Sequence, residues 1–258
     1  MSTAYEEIRY EVPIEQDRLA AVATVVTAPG PRRLALLVHG GPGGQKDGPE
    51  QLYVHLADEL AQAGISSVRF DFRGCGQSTG NYRDMTMARQ AAELTAVRRF
   101  VDAELAPDVV ALVGESYGAT IGILDLGAGY AAHVWLWPCV WLLDGAFESF
   151  VTPEKLRSAE AEGHIVEDGE EIGLAFLEEL LEVGDVAEPL RRFGSVPTLF
   201  VHGEADSEVP FAQSARAAEL LSGPVRLVPV PDGDHCLEEP HERQIVNRET
   251  AAWLREHM

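Results

Sequence analysis

One serine in this chain stands in a setting that could make its hydroxyl a nucleophile. Residues 114–118 read G-E-S-Y-G, with Ser116 at the centre, and they directly follow a strand-like run over residues 108–113. A serine hydroxyl becomes reactive when it is raised on a sharp strand-to-helix turn, and the two glycines leave that turn uncrowded. The turn also aims the backbone N–H of Tyr117, at the start of the next helix, toward a developing oxyanion. The pattern predicts a serine nucleophile.

A nucleophilic serine also needs a histidine to take its proton and a carboxylate to orient that histidine. Asp206 opens a loop just after an apolar run, and His235 follows the next apolar run and a short loop. We therefore predict a triad of Ser116, Asp206 and His235. Asp144 also stands just past a predicted strand and is the alternative acid, but the loop after the next-to-last strand favours Asp206.

A glycine-rich loop supplies candidate donors for the oxyanion. Residues 39–44 read H-G-G-P-G-G and follow the apolar run at 34–38, so backbone N–H groups there can come close to a bound carbonyl. Gly41 is the best second donor beside Tyr117, and His39 is expected to support the loop. Because the loop lacks both the G-x-G-x-x-G frame and the G-K-S/T ending of phosphate-binding loops, no nucleotide cofactor is predicted.

Several polar residues near these motifs are interpreted without a role in bond making or breaking. Glu115 and Glu204 are expected to support the site or to be solvated, and His202 to be a structural histidine at a strand end. The three cysteines are odd in number and lack C-x-x-C spacing, which argues against a disulfide framework and a zinc site. No metal or other cofactor is expected.

The charge balance limits the partners that the chain could bind. Asp and Glu number 42 against 20 Lys and Arg, a formal net charge of −22, so nucleic acid and anionic membrane surfaces should be repelled. The first residues show no basic and apolar leader, and the longest apolar stretch, 131–143, is too short to cross a bilayer. We expect a cytoplasmic protein whose partner is a small molecule. Whether it forms a homodimer is left open.

Strand and helix patterns alternate along the chain, which is typical of an α/β fold with a parallel sheet covered on both faces. The first two strands are predicted as an antiparallel pair, and a later strand is predicted over residues 133–140. Residues 145–196 are too many for a simple connection. They are predicted to form a cap between two core segments, 1–144 and 197–258.

The predicted cap contains its own structural signals. The dipeptide Asp168-Gly169 predicts a hairpin turn, and an amphipathic helix is predicted just after it. The apolar face of this helix consists of Ile172, Phe176, Leu177 and Leu180. Such a face can be buried only against the rest of the cap or over the catalytic pocket, so Phe176 and Leu177 are predicted to contact the substrate.

Five motifs occur in an order that resembles the α/β-hydrolase family over essentially the whole chain. They are the segments 39–41, 71–78, 114–118, 202–206 and 234–235. The resemblance implies a mostly parallel eight-stranded sheet flanked by helices, a small cap inserted after the sixth strand, and hydrolysis by a Ser-His-Asp triad. Segments 69–74, 82–86 and 234–236 look like the bacterial cinnamoyl and feruloyl esterase group, although Cys75 and Tyr117 stand where that group more often has histidine and glutamine.

These observations predict a cofactor-independent serine hydrolase that cleaves a carboxylic ester through an acyl-enzyme. The same groups could act on a thioester or a lactone, and a protein with this fold could use its pocket for binding alone. Residues 39–44 are also similar to a loop of proline iminopeptidases, but the region around Asp71 lacks their tryptophan-aspartate-glutamine-arginine signature. An aminopeptidase therefore ranks behind an esterase or thioesterase.

Overall fold

The structure is a computed structural model that describes residues 4–41, 43–125 and 129–258. Its strands are β1 (Tyr5–Ile14), β2 (Asp17–Val26), β3 (Arg33–Val38), β4 (Ile65–Phe70), β5 (Val109–Glu115), β6 (His133–Leu136), β7 (His164–Glu167), β8 (Glu170–Gly173), β9 (Thr198–Gly203) and β10 (Val225–Val230). Eight of them form one sheet in the order β1-β2-β4-β3-β5-β6-β9-β10. The first two strands pair antiparallel, as does β2 with β4, and the remaining neighbours are parallel.

Helices cover both faces of this sheet. They are α1 (Leu52–Gln62), α2 (Met87–Glu104), α3 (Tyr117–Leu124), α4 (Pro153–Glu162), α5 (Leu174–Val183), α6 (Ala187–Arg192), α7 (Ala212–Ala218) and α8 (Pro240–His257). The inner strands are therefore apolar on both sides, as parallel strands usually are. In β3, Leu36 belongs to one hydrophobic cluster and Leu37 to another, because successive side chains of a strand point to opposite faces.

The strand register brings several loops to one edge of the sheet. Val38 at the end of β3 pairs with Gly114 of β5, and Glu115 pairs with Leu136 at the end of β6. Because these strands are parallel, their carboxyl ends lie side by side. The loops that follow β3, β5, β9 and β10 therefore gather around the residue after β5, which is Ser116.

An inserted segment, residues 145–196, lies between β6 and β9 and contains α4, β7, β8, α5 and α6. The hairpin predicted at Asp168-Gly169 is present, since β7 and β8 pair antiparallel around this turn and both turn residues have positive φ. Ile172, however, lies in β8 and is not part of the helix face that includes Phe176 and Leu177. The division into a core and a cap stays a prediction.

Two predicted elements differ in length from the observed ones. The strand expected over residues 133–140 ends at Leu136, because Trp137 adopts a φ of 37° and Pro138 cannot donate a ladder hydrogen bond. Apolar spacing over residues 49–63 predicts a helix from Pro49, but the segment begins with a short 3-10 turn, and α1 starts only at Leu52. Within the described part of the chain, no helix is long and apolar enough to cross a membrane.

Candidate active site

Ser116 occupies the turn between β5 and α3 in a strained backbone conformation. Its φ is 49° and its ψ is −121°, which a residue with a side chain rarely adopts. The flanking glycines are required by close contacts. A Cβ on Gly114 would lie 2.8 Å from Ala119, and a Cβ on Gly118 would lie 2.3 Å from the carbonyl oxygen of Val38. The turn therefore packs tightly against β3 and leaves the serine hydroxyl at the edge of the sheet.

The structure brings the three predicted triad residues together. The Oγ of Ser116 lies 3.2 Å from Nε2 of His235, and Nδ1 of His235 lies 2.8 Å from Oδ2 of Asp206. Asp206 follows β9 and His235 follows β10, and these two strands pair in parallel. Asp234 joins the two loops, since its Oδ1 accepts hydrogen bonds from the backbone N–H groups of Ser207 and His235. This geometry allows a proton to pass from the serine to the imidazole.

Asp144, the alternative acid, lies elsewhere. Its carboxylate pairs with Arg216 at 3.0 Å, and both side chains are about half exposed. The side chain of Asp206 is fully buried instead, and its Oδ1 accepts hydrogen bonds from the backbone N–H groups of Glu208 and Val209. Although burial disfavours the charged form, hydrogen bonds with His202 and His235 hold the pKa of Asp206 below its usual value. Asp206 is therefore a carboxylate at neutral pH.

His202 has a defined place beside this carboxylate. Its Nε2 lies 3.1 Å from Oδ2 of Asp206 and 2.9 Å from the carbonyl oxygen of Val209, while Nδ1 lies 2.7 Å from Oγ of Ser214. Both partners of Nε2 are acceptors, so this nitrogen carries the proton. The expectation of a structural histidine did not include a bond to the predicted acid. The signal in the sequence is the four-residue spacing from His202 to Asp206.

His235 is surrounded by negative charge. Burial lowers its pKa, but the hydrogen bond to Asp206 and the charges of Asp206, Glu208 and Glu115 raise it by more, so the pKa lies above its usual value. The Oε2 of Glu208 lies 3.6 Å from Nε2 of His235. These carboxylates stabilise the imidazolium, which is the charged form that proton transfer from Ser116 would create.

The two predicted oxyanion donors are neighbours. A Cβ on Gly41 would lie 3.5 Å from the ring of Tyr117, and the N–H of Tyr117 begins α3. Neither N–H donates to a protein acceptor in the described ranges. His39 supports the loop as expected, because its Nδ1 lies 2.7 Å from the carbonyl oxygen of Gly40 and its Nε2 accepts from the N–H of Phe72. Pro42, the fourth residue of the H-G-G-P-G-G motif, lies outside the described residues.

A cleft of about 610 Å³ opens over Ser116 and His235. Glycines of the loop after β3 form part of its lining. Its polar side chains include five carboxylates, from Asp47, Glu50, Glu115, Asp168 and Glu208. No lysine or arginine is found among the described residues that line it. The cleft is therefore an anionic environment.

Phe176 and Leu177 do not line this cleft. Both are buried among apolar residues, and the ring of Phe176 makes edge-to-face contacts with the rings of Tyr117 and Phe147. The inserted segment reaches the cleft through Asp168 at the tip of its hairpin. The sequence marked Asp168 only as a turn residue, because nothing local shows which way a hairpin points.

The thiols near the site are protonated at neutral pH. Cys236 lines the cleft, whereas Cys75 and Cys139 are buried. Burial raises the pKa of all three, and that of Cys75 reaches about 12. Since the thiolate is the nucleophilic form, none of them competes with Ser116 for this role.

A mostly parallel sheet with a serine on a strand-to-helix turn defines the α/β-hydrolase class. The model of the alpha/beta hydrolase family matches residues 35–248 of this chain. The chain therefore belongs to the alpha/beta hydrolase family, and the predicted fold class is confirmed.

Individual proteins show the same relationship. Est1E from Butyrivibrio proteoclasticus, solved with ferulic acid bound, superposes with a TM-score of 0.79 at 20% identity and covers 96% of this chain and 98% of its own. This likeness confirms the resemblance to the feruloyl esterase group at the level of the fold.

YfhR, an uncharacterized protein of Escherichia coli strain K12, is 24% identical over 214 residues, which are 81% of this chain and 66% of YfhR. A proline iminopeptidase of Lacticaseibacillus rhamnosus is 32% identical over 107 residues, which are 40% of this chain and 32% of that enzyme. The chain thus spans about two thirds of YfhR and less of the peptidase.

Proposed function

We propose that the protein is a serine hydrolase that cleaves a carboxylic ester through an acyl-enzyme intermediate. The observation that carries this proposal is the continuous hydrogen-bonded path from Ser116 through His235 to Asp206, with distances of 3.2 and 2.8 Å. A serine, an imidazole and a buried carboxylate in this order are the groups that nucleophilic catalysis at a carbonyl requires.

In the first half of the reaction, Oγ of Ser116 attacks the ester carbonyl carbon and its proton passes to Nε2 of His235. The carbonyl oxygen becomes an oxyanion, which the N–H groups of Gly41 and Tyr117 stabilise. Asp206 keeps Nδ1 of His235 protonated and stabilises the imidazolium. The tetrahedral intermediate then collapses, the carbon–oxygen bond to the alcohol breaks, and His235 returns the proton to the departing alcohol.

In the second half, water repeats this sequence in place of the serine. His235 takes a proton from the water as it attacks the acyl carbon, and the same two N–H groups hold the second oxyanion. Collapse of this intermediate breaks the bond to Oγ of Ser116, which recovers its proton from His235. The carboxylic acid is released, and the resting state is restored.

An ester is the proposed substrate because its alcohol leaves readily from this machinery and needs no further catalytic group. The ferulic acid in the Est1E structure supports the same choice, since a carboxylic acid is the acyl product that an ester hydrolase releases. Thioesters and lactones follow the same steps and remain the alternatives. A prolyl amide belongs in the comparison because part of the chain is similar to a proline iminopeptidase.

Covalent labelling tests the nucleophile. A fluorophosphonate probe should label the wild-type protein at Ser116, and Ser116→Ala should abolish labelling and lower kcat by about three orders of magnitude or more. Ser222→Ala is the matched control, because Ser222 is an ordinary surface serine whose Oγ bonds the carbonyl oxygen of Gly194. Labelling of the Ser116→Ala variant at the wild-type rate would contradict the proposal.

A substrate panel then distinguishes the reaction types. Aryl and alkyl esters, acyl thioesters, lactones and prolyl amides are compared by kcat/KM under one set of conditions. We expect the highest value for an ester. A thioester preferred by more than tenfold would make the protein a thioesterase, and labelling of Ser116 without turnover of any substrate would indicate a binding protein.

A further inference from the structure

Glu115 connects the two parts of the proposed catalytic machinery. It is the last residue of β5 and directly precedes Ser116, yet its side chain turns toward the loop after β3. There its Oε1 accepts a hydrogen bond from the backbone N–H of Gly40 at 2.5 Å. Gly40 is the neighbour of Gly41, so this bond fixes the loop next to the proposed oxyanion donor.

A side chain at position 40 would crowd Glu115. A Cβ on Gly40 would lie 2.8 Å from Oε2 of Glu115 and 3.2 Å from its carbonyl oxygen. Glu115 is also almost fully buried, with 4% of its surface exposed. A buried side chain in such close contact is restricted to one position. Glu115 therefore also restricts the conformation of the loop after β3 that it contacts.

Glu115 also contributes charge to the cleft, which it lines together with Ser116 and His235. Burial has the largest effect and holds the pKa of Glu115 above its usual value, although the bond from Gly40 and the charge of His235 lower it in part. The charged or titratable groups that interact with Glu115 are His235, Arg243, Tyr53 and Cys236. Those that interact with His235 are Asp206, Glu208 and Glu115. The carboxylate of Glu115 thus favours the imidazolium of His235, in addition to the effect of Asp206.

We propose that Glu115 is a positioning residue with two separable effects, namely alignment of the oxyanion loop through Gly40 and stabilisation of the protonated form of His235. This inference rests on the proposed function. It goes beyond the triad, because it assigns a role to the residue before the nucleophile that a solvated or merely structural carboxylate would not have.

Two substitutions separate the two effects. Glu115→Gln keeps an oxygen that can accept from the N–H of Gly40 but removes the charge. Glu115→Leu removes both the acceptor and the charge while filling a similar volume. Glu204→Gln is the matched control, because it removes one carboxylate from an exposed position on the loop that carries Asp206.

The expected results follow from these differences. Glu115→Leu should lower kcat by about a hundredfold with little change in KM, since a misplaced oxyanion donor weakens only transition-state binding. Glu115→Gln should keep kcat within about fivefold of wild type but move the acidic limb of the kcat/KM profile to lower pH, since His235 loses a stabilising charge. Glu204→Gln should leave both kcat and the profile unchanged.

Two outcomes would overturn the inference. If Glu115→Leu melts as a folded protein and keeps kcat within threefold of wild type, the loop does not depend on Glu115. If Glu115→Gln has the same acidic limb of the kcat/KM profile as wild type, the carboxylate of Glu115 does not act on His235. This result contradicts the inference even where Glu115→Leu fails to fold. A wild-type protein that neither labels nor hydrolyses any ester would instead remove the proposed function, so the two failures are distinguishable.

Discussion

Two histidines, His202 and His235, contact the same oxygen of Asp206, at 3.1 and 2.8 Å. His202 is fully buried, so water cannot replace the hydrogen bond that its Nε2 donates to Asp206. The bond restricts the carboxylate to the orientation in which Oδ2 faces His235. The alignment of the proposed base thus depends on a residue that takes no part in proton transfer.

Replacement of His202 should therefore affect both stability and rate. We expect His202→Leu to lower the free energy of unfolding by about 1–3 kcal/mol, because Ser214 and Asp206 lose a buried partner. It should also lower kcat by about tenfold or more. Thermal melts and steady-state kinetics measure the two effects. Ser214→Ala, which removes only the bond to Nδ1, is the milder control, and an unchanged kcat in folded His202→Leu would contradict this role.

The acid can be assigned by comparing two aspartates. Asp206→Asn should lower kcat by about 10⁴-fold, as loss of a triad carboxylate does in serine proteases. Asp144→Asn should retain most activity, because Asp144 pairs with Arg216 on the surface. Steady-state kinetics with one ester suffice, and the reverse ranking would move the acid to Asp144.

The pH dependence should report His235. Only the neutral imidazole can accept the proton of Ser116, so kcat/KM should rise with pH through the pKa of His235. Because Asp206, Glu208 and Glu115 raise this pKa, the acidic limb should be centred above 6.5, the usual value for histidine. A profile measured with an uncharged ester checks this, and a limb centred below 6.5 would contradict the assignment.

The anionic cleft should discriminate between substrates by charge. Between esters of equal size, one with a carboxylate should have a kcat/KM about tenfold or more below that of its uncharged counterpart, and the difference should shrink in high salt. Glu208→Gln should reduce the difference, because Glu208 lies 3.6 Å from Nε2 of His235. Glu204→Gln serves as the control for a general loss of surface charge. Equal rates for the two esters at low salt would contradict this prediction.

The role of Phe176 can be tested against an exposed neighbour on α5. Phe176→Ala should lower the free energy of unfolding by about 3–5 kcal/mol, since its ring is 1% exposed, whereas Leu181→Ala should change it little, since Leu181 is 49% exposed.

If Phe176 and Leu177 also shape the acyl pocket, kcat/KM should fall about ten- to two-hundredfold for bulky aryl esters and little for an acetyl ester. Because neither side chain lines the cleft over Ser116, we expect equal losses on the two esters instead. Equal losses on both esters would mean that the helix is scaffold.

Much of this site could be predicted because its signals are local. Ser116, Asp206 and His235 each follow an apolar run, and in a parallel sheet the carboxyl ends of such runs meet at one edge. The Asp168-Gly169 turn was equally readable, since few dipeptides accept positive φ at both positions. Residue type and position along the chain determined these features before any contact was known.

Other features were decided only by the tertiary structure. The bond from Gly40 to Glu115 joins residues 75 positions apart, and Asp168 lines the cleft only because of the way its hairpin packs. The apolar spacing around Phe176 predicted a buried face but could not say whether it meets the substrate or the ring of Tyr117. Periodicity determines which side of an element is buried, whereas the partner of that side is set by packing among residues distant in sequence.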